Sequence, residues 1–277
     1  MIAFVGSVFS PYYAWARARG VADPENHCAL NVALYGRSAR RWAMTERGAR
    51  HCARQADRLV IGPSHLRWDG ATLTADVDER CVPVPRRIRG RIRLTPDRLF
   101  PYSTAIDTRG VHRWGPIAPS ARISVQLSEP GLNWTGSAYL DSNEGDEPVD
   151  RAFTQWDWSR SQLAQGDTAV LYDLQYPNGS ERVLALRFMS NGSVEPFEPP
   201  PRTELPRTAW WLTRRMRSSS PVSVIDQLED TPFYQRAIVG SELLGQRATS
   251  FHESLSVPRL VSPVVRAMLP WRMPRRS

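Results

Sequence analysis

Apolar and polar residues alternate along several short segments of this 277-residue chain. Side chains two apart in an extended chain lie on the same face, so this spacing predicts strands with one buried face. A Pro-Asn-Gly turn separates the last two segments, which predicts a hairpin there. The alternating or β-rich segments are residues 28–35, 71–78, 87–94, 121–127, 168–176 and 181–188.

Helical spacing is scarce, and only residues 11–20 and 224–228 are candidates for short helices. Many short strands with few helices are typical of β-barrels and β-sandwiches, so we expect an all-β fold. Residues 146–150 are charged, contain a proline and lie between strand segments. We therefore predict an N-terminal domain of residues 1–148 and a C-terminal domain of residues 149–277 that ends in a basic tail.

The chain has no lysine, so its 36 basic residues are all arginine, and its formal charge is +8. A chain without lysine cannot form a lysine Schiff base and cannot hold the Gly-Lys-Ser/Thr phosphate loop. The positive charge indicates an anionic partner, either nucleic acid or anionic lipid. No zinc-finger, helix-turn-helix or RNA-recognition signature accompanies it, so we expect no nucleic-acid partner and favour peripheral contact with an anionic membrane.

The three cysteines, Cys28, Cys52 and Cys81, show no Cys-x-x-Cys spacing, so we predict neither a disulfide framework nor a metal site. The apolar N-terminus lacks a basic region and meets a proline at position 11, which argues against a signal peptide. No segment reaches the ~20 apolar residues of a transmembrane helix. We expect a cytoplasmic protein.

The C-terminal residues 257–277 combine arginines, four prolines and Trp271. Prolines should prevent one continuous amphipathic helix here. A tryptophan beside arginines is typical of a membrane-interface anchor, and a solvated basic tail is an equally open interpretation.

Two i,i+2 pairs carry the most chemistry: His112 with Trp114, and Tyr139 with Asp141. In strands, each pair places a proton-handling group beside an electron-rich ring on one face. Such pairs suit acid chemistry on an apolar substrate that passes through a carbocation.

Strand alternation does not decide what surrounds these residues. In the segment 131–141, we expect Leu132, Trp134, Ala138 and Leu140 to face the core. The opposite face, which holds Tyr139 and Asp141, lines either solvent or a polar cavity. The aromatic segment 156–158 is expected in the core or in a pocket wall.

Several long segments resemble the acyclic carotenoid 1,2-hydratases, also called hydroxyneurosporene synthases. The resemblance covers nearly the whole chain. The matching segments are residues 4–16, 23–35, 41–47, 112–119, 139–148 and 158–160.

The resemblance implies a cofactor-free lyase of photosynthetic bacteria. Its substrates would be water and an acyclic carotenoid such as neurosporene or lycopene, and it would hydrate the terminal C1=C2 bond. It also implies two lipocalin-like (calycin-type) β-barrel domains with few short helices. The localisation expected from this substrate is the cytoplasmic side of the inner or intracytoplasmic membrane, with peripheral attachment.

The catalytic residues of the family fall on Asp141, His112, Trp114 and Tyr139 of this chain. Asp141 is expected to protonate C2, which requires its pKa to rise by about 3 units. Trp114 and Tyr139 would stabilise the cation at C1. His112 would orient Asp141 or take a proton from water, and a role for His112 as the acid is a further alternative. A rival class is a non-catalytic carotenoid carrier on the same fold.

Overall fold

The computed structural model describes residues 1–36 and 39–276 of the chain. Within these ranges the α-helices are α1 (Pro11–Ala18), α2 (Val257–Leu260) and α3 (Pro263–Arg272). The strands are β1 (Ile2–Val5), β2 (Cys28–Leu34), β3 (Arg41–Arg47), β4 (Cys52–Arg54), β5 (Arg58–Ile61), β6 (Ser64–Trp68), β7 (Leu73–Arg80), β8 (Arg87–Pro96), β9 (Thr104–Ala105), β10 (His112–Glu129), β11 (Leu132–Gly145), β12 (Gln155–Gln162), β13 (Thr168–Gln175), β14 (Glu181–Phe188), β15 (Val194–Pro196), β16 (Arg202–Glu204), β17 (Arg215–Arg217), β18 (Ser223–Asp230), β19 (Tyr234–Leu243), β20 (Gln246–Ser256) and β21 (Arg275–Arg276).

The fold is mostly β, with 53% strand and 12% helix, which confirms the predicted all-β class. No closed barrel is found in the described residues, and the lipocalin-like character of the domains stays a prediction. The hairpin of β13 and β14 and the helix α1 also lie where the sequence predicts them.

The short helix predicted at 224–228 is wrong, because these residues belong to β18. The pairing of β18 with β19 shifts register twice, between Val224 and Asp226 and between Gln227 and Glu229. Such bulges interrupt strict alternation, so the apolar residues acquire a spacing that imitates a helix.

The chain divides into two compact units, each built from separate segments. Unit 1 comprises Met1–Pro96, Ala121–Ala138 and Arg266–Ser277, and unit 2 comprises Asp97–Ser120 and Tyr139–Val265. Strands β10 and β11 each contribute residues to both units. The domains 1–148 and 149–277 expected from a single boundary near residue 148 stay a prediction.

Unit 1 contains an antiparallel meander in which β4 to β8 are hydrogen-bonded in chain order. A second sheet has the order β1-β2-β3-β21, so the C-terminal strand completes a sheet begun at the N-terminus. The two sheets share an apolar core, in which the alternating residues of β7 and β8 bury one side of their strands. Its members include Leu30, Val32, Ala75, Val77, Ile88, Ile92 and Val125.

A buried carboxylate ties the C-terminal strand to unit 1. Glu46 is fully buried and lies 2.7 Å from Nδ1 of His27. It also accepts hydrogen bonds from Arg275 on β21 and from Ser10, which caps the N-terminus of α1. Because a buried carboxylate needs a partner, this cluster holds the end of the chain in place.

Unit 2 contains a seven-stranded antiparallel sheet with the order β15-β14-β13-β12-β20-β19-β18. Its central strand β12 pairs with β13 on one side and β20 on the other. Unit 2 also contains the first part of β10 and the last part of β11.

The structure differs from the sequence-based expectations at Trp134 and, in part, in the C-terminal residues. Trp134, expected in the core, is 44% exposed on β11. The C-terminal residues form two helices rather than one, as the prolines predict, but α3 contains Pro270 in its interior. None of the helices in the described ranges has the length and apolar character needed to cross a lipid bilayer.

Candidate active site

Strands β10 and β11 carry the four predicted site residues, and all four lie in unit 2. His112 and Trp114 are buried, whereas Arg113 between them is exposed. This alternation confirms that the first pair shares one face of an extended strand. Tyr139 and Asp141 hold the corresponding i,i+2 positions on β11.

The carboxyl group of Asp141 brings three of the predicted residues together. Its Oδ2 accepts a hydrogen bond of 2.9 Å from the indole Nε1 of Trp114. The same oxygen accepts a hydrogen bond of 3.2 Å from the hydroxyl of Tyr139. Oδ1 takes part in neither bond, so the two oxygens of the carboxyl group have different surroundings.

Burial raises the pKa of Asp141 from 3.8 to about 6. The hydrogen bonds from Trp114 and Tyr139 act against this rise because they stabilise the carboxylate, and the negative charge of Glu253 adds to it. With a pKa of about 6, roughly a tenth of the molecules hold a protonated Asp141 at pH 7. An apolar substrate that displaces water from the carboxyl group would increase this fraction.

His112 has other partners. Its backbone N–H donates to Oδ1 of Asp107 at 2.9 Å, and its Nε2 lies 3.1 Å from the carbonyl oxygen of Glu147. Because a carbonyl oxygen only accepts, the second contact requires the tautomer protonated at Nε2. Nδ1 is then the basic nitrogen, and it lies 3.8 Å from Oδ2 of Asp107.

The pKa of His112 is lowered by burial, which the charge of Asp107 only partly offsets. The ring is therefore mostly neutral at pH 7, a form suited to accept a proton rather than to give one. No hydrogen bond joins His112 to Asp141 in the described part of the chain. The three roles considered for His112, which are to orient Asp141, to accept a proton from water or to act as the acid, stay predictions.

The seven-stranded sheet supplies aromatic walls, of which the sequence analysis predicted only the segment 156–158. The indole of Trp114, which is 0% exposed, makes edge-to-face contacts with Tyr172 at 5.8 Å and with Phe188 at 6.5 Å between ring centroids. On the other strand, the ring of Tyr139 lies 5.4 Å from that of Trp158. The expectation that Trp158 lies in the core or a pocket wall is confirmed.

In the register of this sheet, three side chains from adjacent strands lie next to one another in one row. Trp158 of β12 pairs with Tyr172 of β13 and with Glu253 of β20. Directly opposite residues in adjacent strands point to the same face, so Glu253 is on the face that holds the aromatic walls. Its carboxylate binds Arg236 at 2.7 Å.

A guanidinium group faces Tyr139. The charged carbon of Arg160 lies 5.7 Å from the centre of the phenol ring, a cation–π distance. This contact occupies one of the two electron-rich faces of the Tyr139 ring and places a positive charge beside it. The ring face of Tyr139 is therefore less suited than that of Trp114 to stabilise a second positive charge.

The described residues contain no group of three or more His, Cys, Asp or Glu side chains that could hold a metal ion. The side chains gathered at Asp141 are an indole, a phenol and further aromatic rings. A carboxyl group among such rings is chemically suited to proton transfer next to an apolar surface.

The family model of the carotenoid hydratase CrtC matches residues 1–277. The chain therefore belongs to the carotenoid hydratase family. No solved structure matches it.

Three similar proteins carry the name acyclic carotenoid 1,2-hydratase. The protein from Rubrivivax gelatinosus is 56% identical over 280 residues, which cover 100% of this chain and 69% of the relative. The protein from Thiocapsa roseopersicina is 52% identical, with 99% of this chain and 68% of the relative covered. The protein from Cereibacter sphaeroides is 38% identical, with 100% and 98% covered.

Proposed function

We propose that this chain is an acyclic carotenoid 1,2-hydratase. It adds water across the terminal C1=C2 bond of a carotenoid such as neurosporene or lycopene and forms a tertiary 1-hydroxy product. The observation that carries this proposal is the contact of the half-buried Asp141 carboxyl group with Trp114 and Tyr139, in surroundings that raise its pKa to about 6. The names of the similar proteins support the same reaction.

In the first step, Asp141 protonates C2. Its Oδ2 accepts two hydrogen bonds, so the proton resides on Oδ1. The O–H bond breaks, a C2–H bond forms with the electrons of the double bond, and C1 becomes a tertiary cation. The indole N–H of Trp114 and the hydroxyl of Tyr139 then stabilise the carboxylate that remains.

The cation at C1 needs an electron-rich neighbour, and the indole of Trp114 suits this role. A desolvated cation–π contact stabilises a positive charge by about 2 kcal/mol. The indole N–H donates to a carboxylate at this stage, which increases the electron density of the ring. Tyr139 contributes mainly through its hydroxyl group, because Arg160 lies over its ring.

Water completes the reaction at C1. The oxygen of water forms the C1–O bond, and one of its protons passes to Nδ1 of His112, the basic nitrogen of the neutral ring. Transfer of that proton to Asp141 restores the starting state. The protein residues alone supply the acid, the base and the stabilising rings, so no cofactor is required in this mechanism.

The proposal extends to fold and location. We expect two lipocalin-like domains, and the meander of β4 to β8, which has the up-and-down order of lipocalins, supports this for unit 1. A hydrocarbon substrate and a basic chain support peripheral contact with an anionic membrane on the cytoplasmic side. If residues 146–150 link two domains, limited proteolysis should cut the chain within them. An experimental structure tests the lipocalin-like fold.

Incubation of lycopene and neurosporene in isotopically labelled water tests the reaction. We expect a more polar product with one oxygen from water, and a carrier protein would leave the pigment unchanged. Asp141→Asn should abolish turnover. Asp157→Asn is the matched control, because the pKa of Asp157 is also raised by burial to about 6 but its side chain lies on the opposite face of β12 from Trp158. Substantial turnover by Asp141→Asn would exclude Asp141 as the acid.

A further inference from the structure

Helix α3 is apolar on two faces. Val265 and Leu269 are buried, as the inner face of a surface helix should be. On the outer side, Val264 is 70% exposed, Met268 is 47% exposed and Trp271 is 79% exposed. These three residues have i, i+4 and i+7 spacing, so within this single helix they form one continuous stripe, which we call the α3 stripe.

The helix is held firmly enough to present this stripe. The guanidinium of Arg272 lies 4.3 Å from the ring centre of Trp42 and donates a hydrogen bond of 3.2 Å to the carbonyl oxygen of Val82. Three residues later, Arg275 is bonded to the buried Glu46. The exposed tryptophan is therefore part of an anchored helix rather than of a frayed end.

The charges on the chain segment that carries the stripe have one sign. Residues 254–277 contain five arginines and no aspartate or glutamate. Arg276 is exposed, and Arg266 on α3 is partly exposed. An apolar stripe that ends in tryptophan and is flanked by arginines matches the interface of an anionic bilayer, where acyl chains lie beneath negative headgroups.

We propose that the α3 stripe docks the protein on the surface of an anionic lipid bilayer, with Met268 and Trp271 inserted at the headgroup boundary. The choice of a bilayer rests on the proposed function, since a long hydrocarbon substrate dissolves in membranes and not in water. Docking through α3 would keep the protein at the surface from which it takes this substrate.

Flotation of the purified full chain with vesicles tests the proposal without any carotenoid. Phosphatidylcholine vesicles with and without phosphatidylglycerol are compared, at low and high salt. The double variant Met268→Ser/Trp271→Ser should bind anionic vesicles more weakly by at least about tenfold. Trp134→Ser is the matched control, because it also removes a half-exposed tryptophan, and it should bind as the wild type does. Arg276→Gln should weaken binding to the anionic vesicles alone.

Equal binding of the double variant and the wild type would overturn the proposal. A wild-type dimer that the double variant loses, with vesicle binding unchanged, would assign the stripe to self-association instead. Activity assays separate this proposal from the proposed function. The double variant should hydrate detergent-solubilised carotenoid as the wild type does and lose activity only on vesicle-embedded carotenoid. A wild type that hydrates neither form, yet floats with vesicles through the stripe, would refute the function and not the docking.

Discussion

The indole Nε1 of Trp114 donates a hydrogen bond of 2.9 Å to Oδ2 of Asp141. From the sequence, we expect Trp114 to stabilise a cation through its π face. Its indole N–H, at the edge of the ring, also binds the carboxyl group of Asp141. The bond links the two strands of the candidate site and lowers the pKa of the acid against the effect of burial. It holds the carboxyl group by one oxygen in both protonation states.

Trp114→Phe should move the pH dependence of the reaction. The variant keeps a ring face but loses the N–H donor, so the pKa of Asp141 should rise above its wild-type value of about 6. The pH above which kcat/KM falls should rise with it, while kcat falls by about tenfold to a hundredfold because the carboxylate is less stabilised.

The comparison with Trp114→Ala separates the contribution of the indole N–H from that of the ring face. Alanine removes both and leaves a cavity that should cost about 3–5 kcal/mol of unfolding free energy. We expect lower activity than in Trp114→Phe, measured as pH profiles of kcat/KM for both variants. An unmoved profile in the phenylalanine variant would contradict the role given to the hydrogen bond.

Asp141→Asn should be more stable than the wild type at neutral pH. The folded-state pKa of Asp141 is raised, so the native protein binds this proton more tightly than the unfolded chain does. The wild type therefore loses stability as the pH rises from about 4 to about 6, by as much as roughly 3 kcal/mol, and asparagine removes this loss.

Urea denaturation of both proteins between pH 4 and pH 7 measures the effect. The gap in unfolding free energy should open in favour of Asp141→Asn as the pH rises. A constant gap over this range would mean that Asp141 is not desolvated in the native protein.

Glu253→Gln should shift the pH profile in the opposite direction from Trp114→Phe. The charge of Glu253 raises the pKa of Asp141, so its removal should lower that pKa and reduce activity at pH 7. Glu229→Gln is the control, since Glu229 also binds Arg236, at 3.4 Å. If both variants shift kcat/KM alike, the effect comes from Arg236 and not from the charge near Asp141.

Arg275→Gln should destabilise the protein without moving its pH profile. The change leaves the fully buried carboxylate of Glu46 without its cationic partner, which costs about 3–5 kcal/mol. The neighbouring Arg276→Gln, at an exposed position, should cost no more than about 0.5 kcal/mol. Thermal and chemical unfolding of the two variants test this, and equal stabilities would contradict the anchoring role of Arg275.

The alternation of apolar and polar residues predicted the structural features that depend on one strand or one hairpin. Alternation identified β8 and the hairpin of β13 and β14, because each buries one side against a core. The same rule misassigned β18, where bulges break the alternation, and Trp134, which is exposed although Ala138 on the same face of β11 is buried.

In the candidate site too, features set by one strand were predicted and contacts between distant strands were not. The i,i+2 pairs placed His112 beside Trp114 and Tyr139 beside Asp141, since strand geometry alone determines this. The contacts with Tyr172, Phe188 and Glu253 depend on the register and packing of strands distant in sequence. His112 likewise contacts Asp107 and Glu147, which lie in loops. No sequence periodicity predicts the path of a loop.

The unequal oxygens of Asp141 have a stereochemical consequence. A carboxyl group fastened through Oδ2 alone presents its other oxygen from one direction, so the alkene is approached on a single side. Hydration turns C2 into a methylene group whose two hydrogens are prochiral. In heavy water the deuteron would then occupy only one of these positions, and the handedness of the labelled product would report the side of the polyene that faces Asp141.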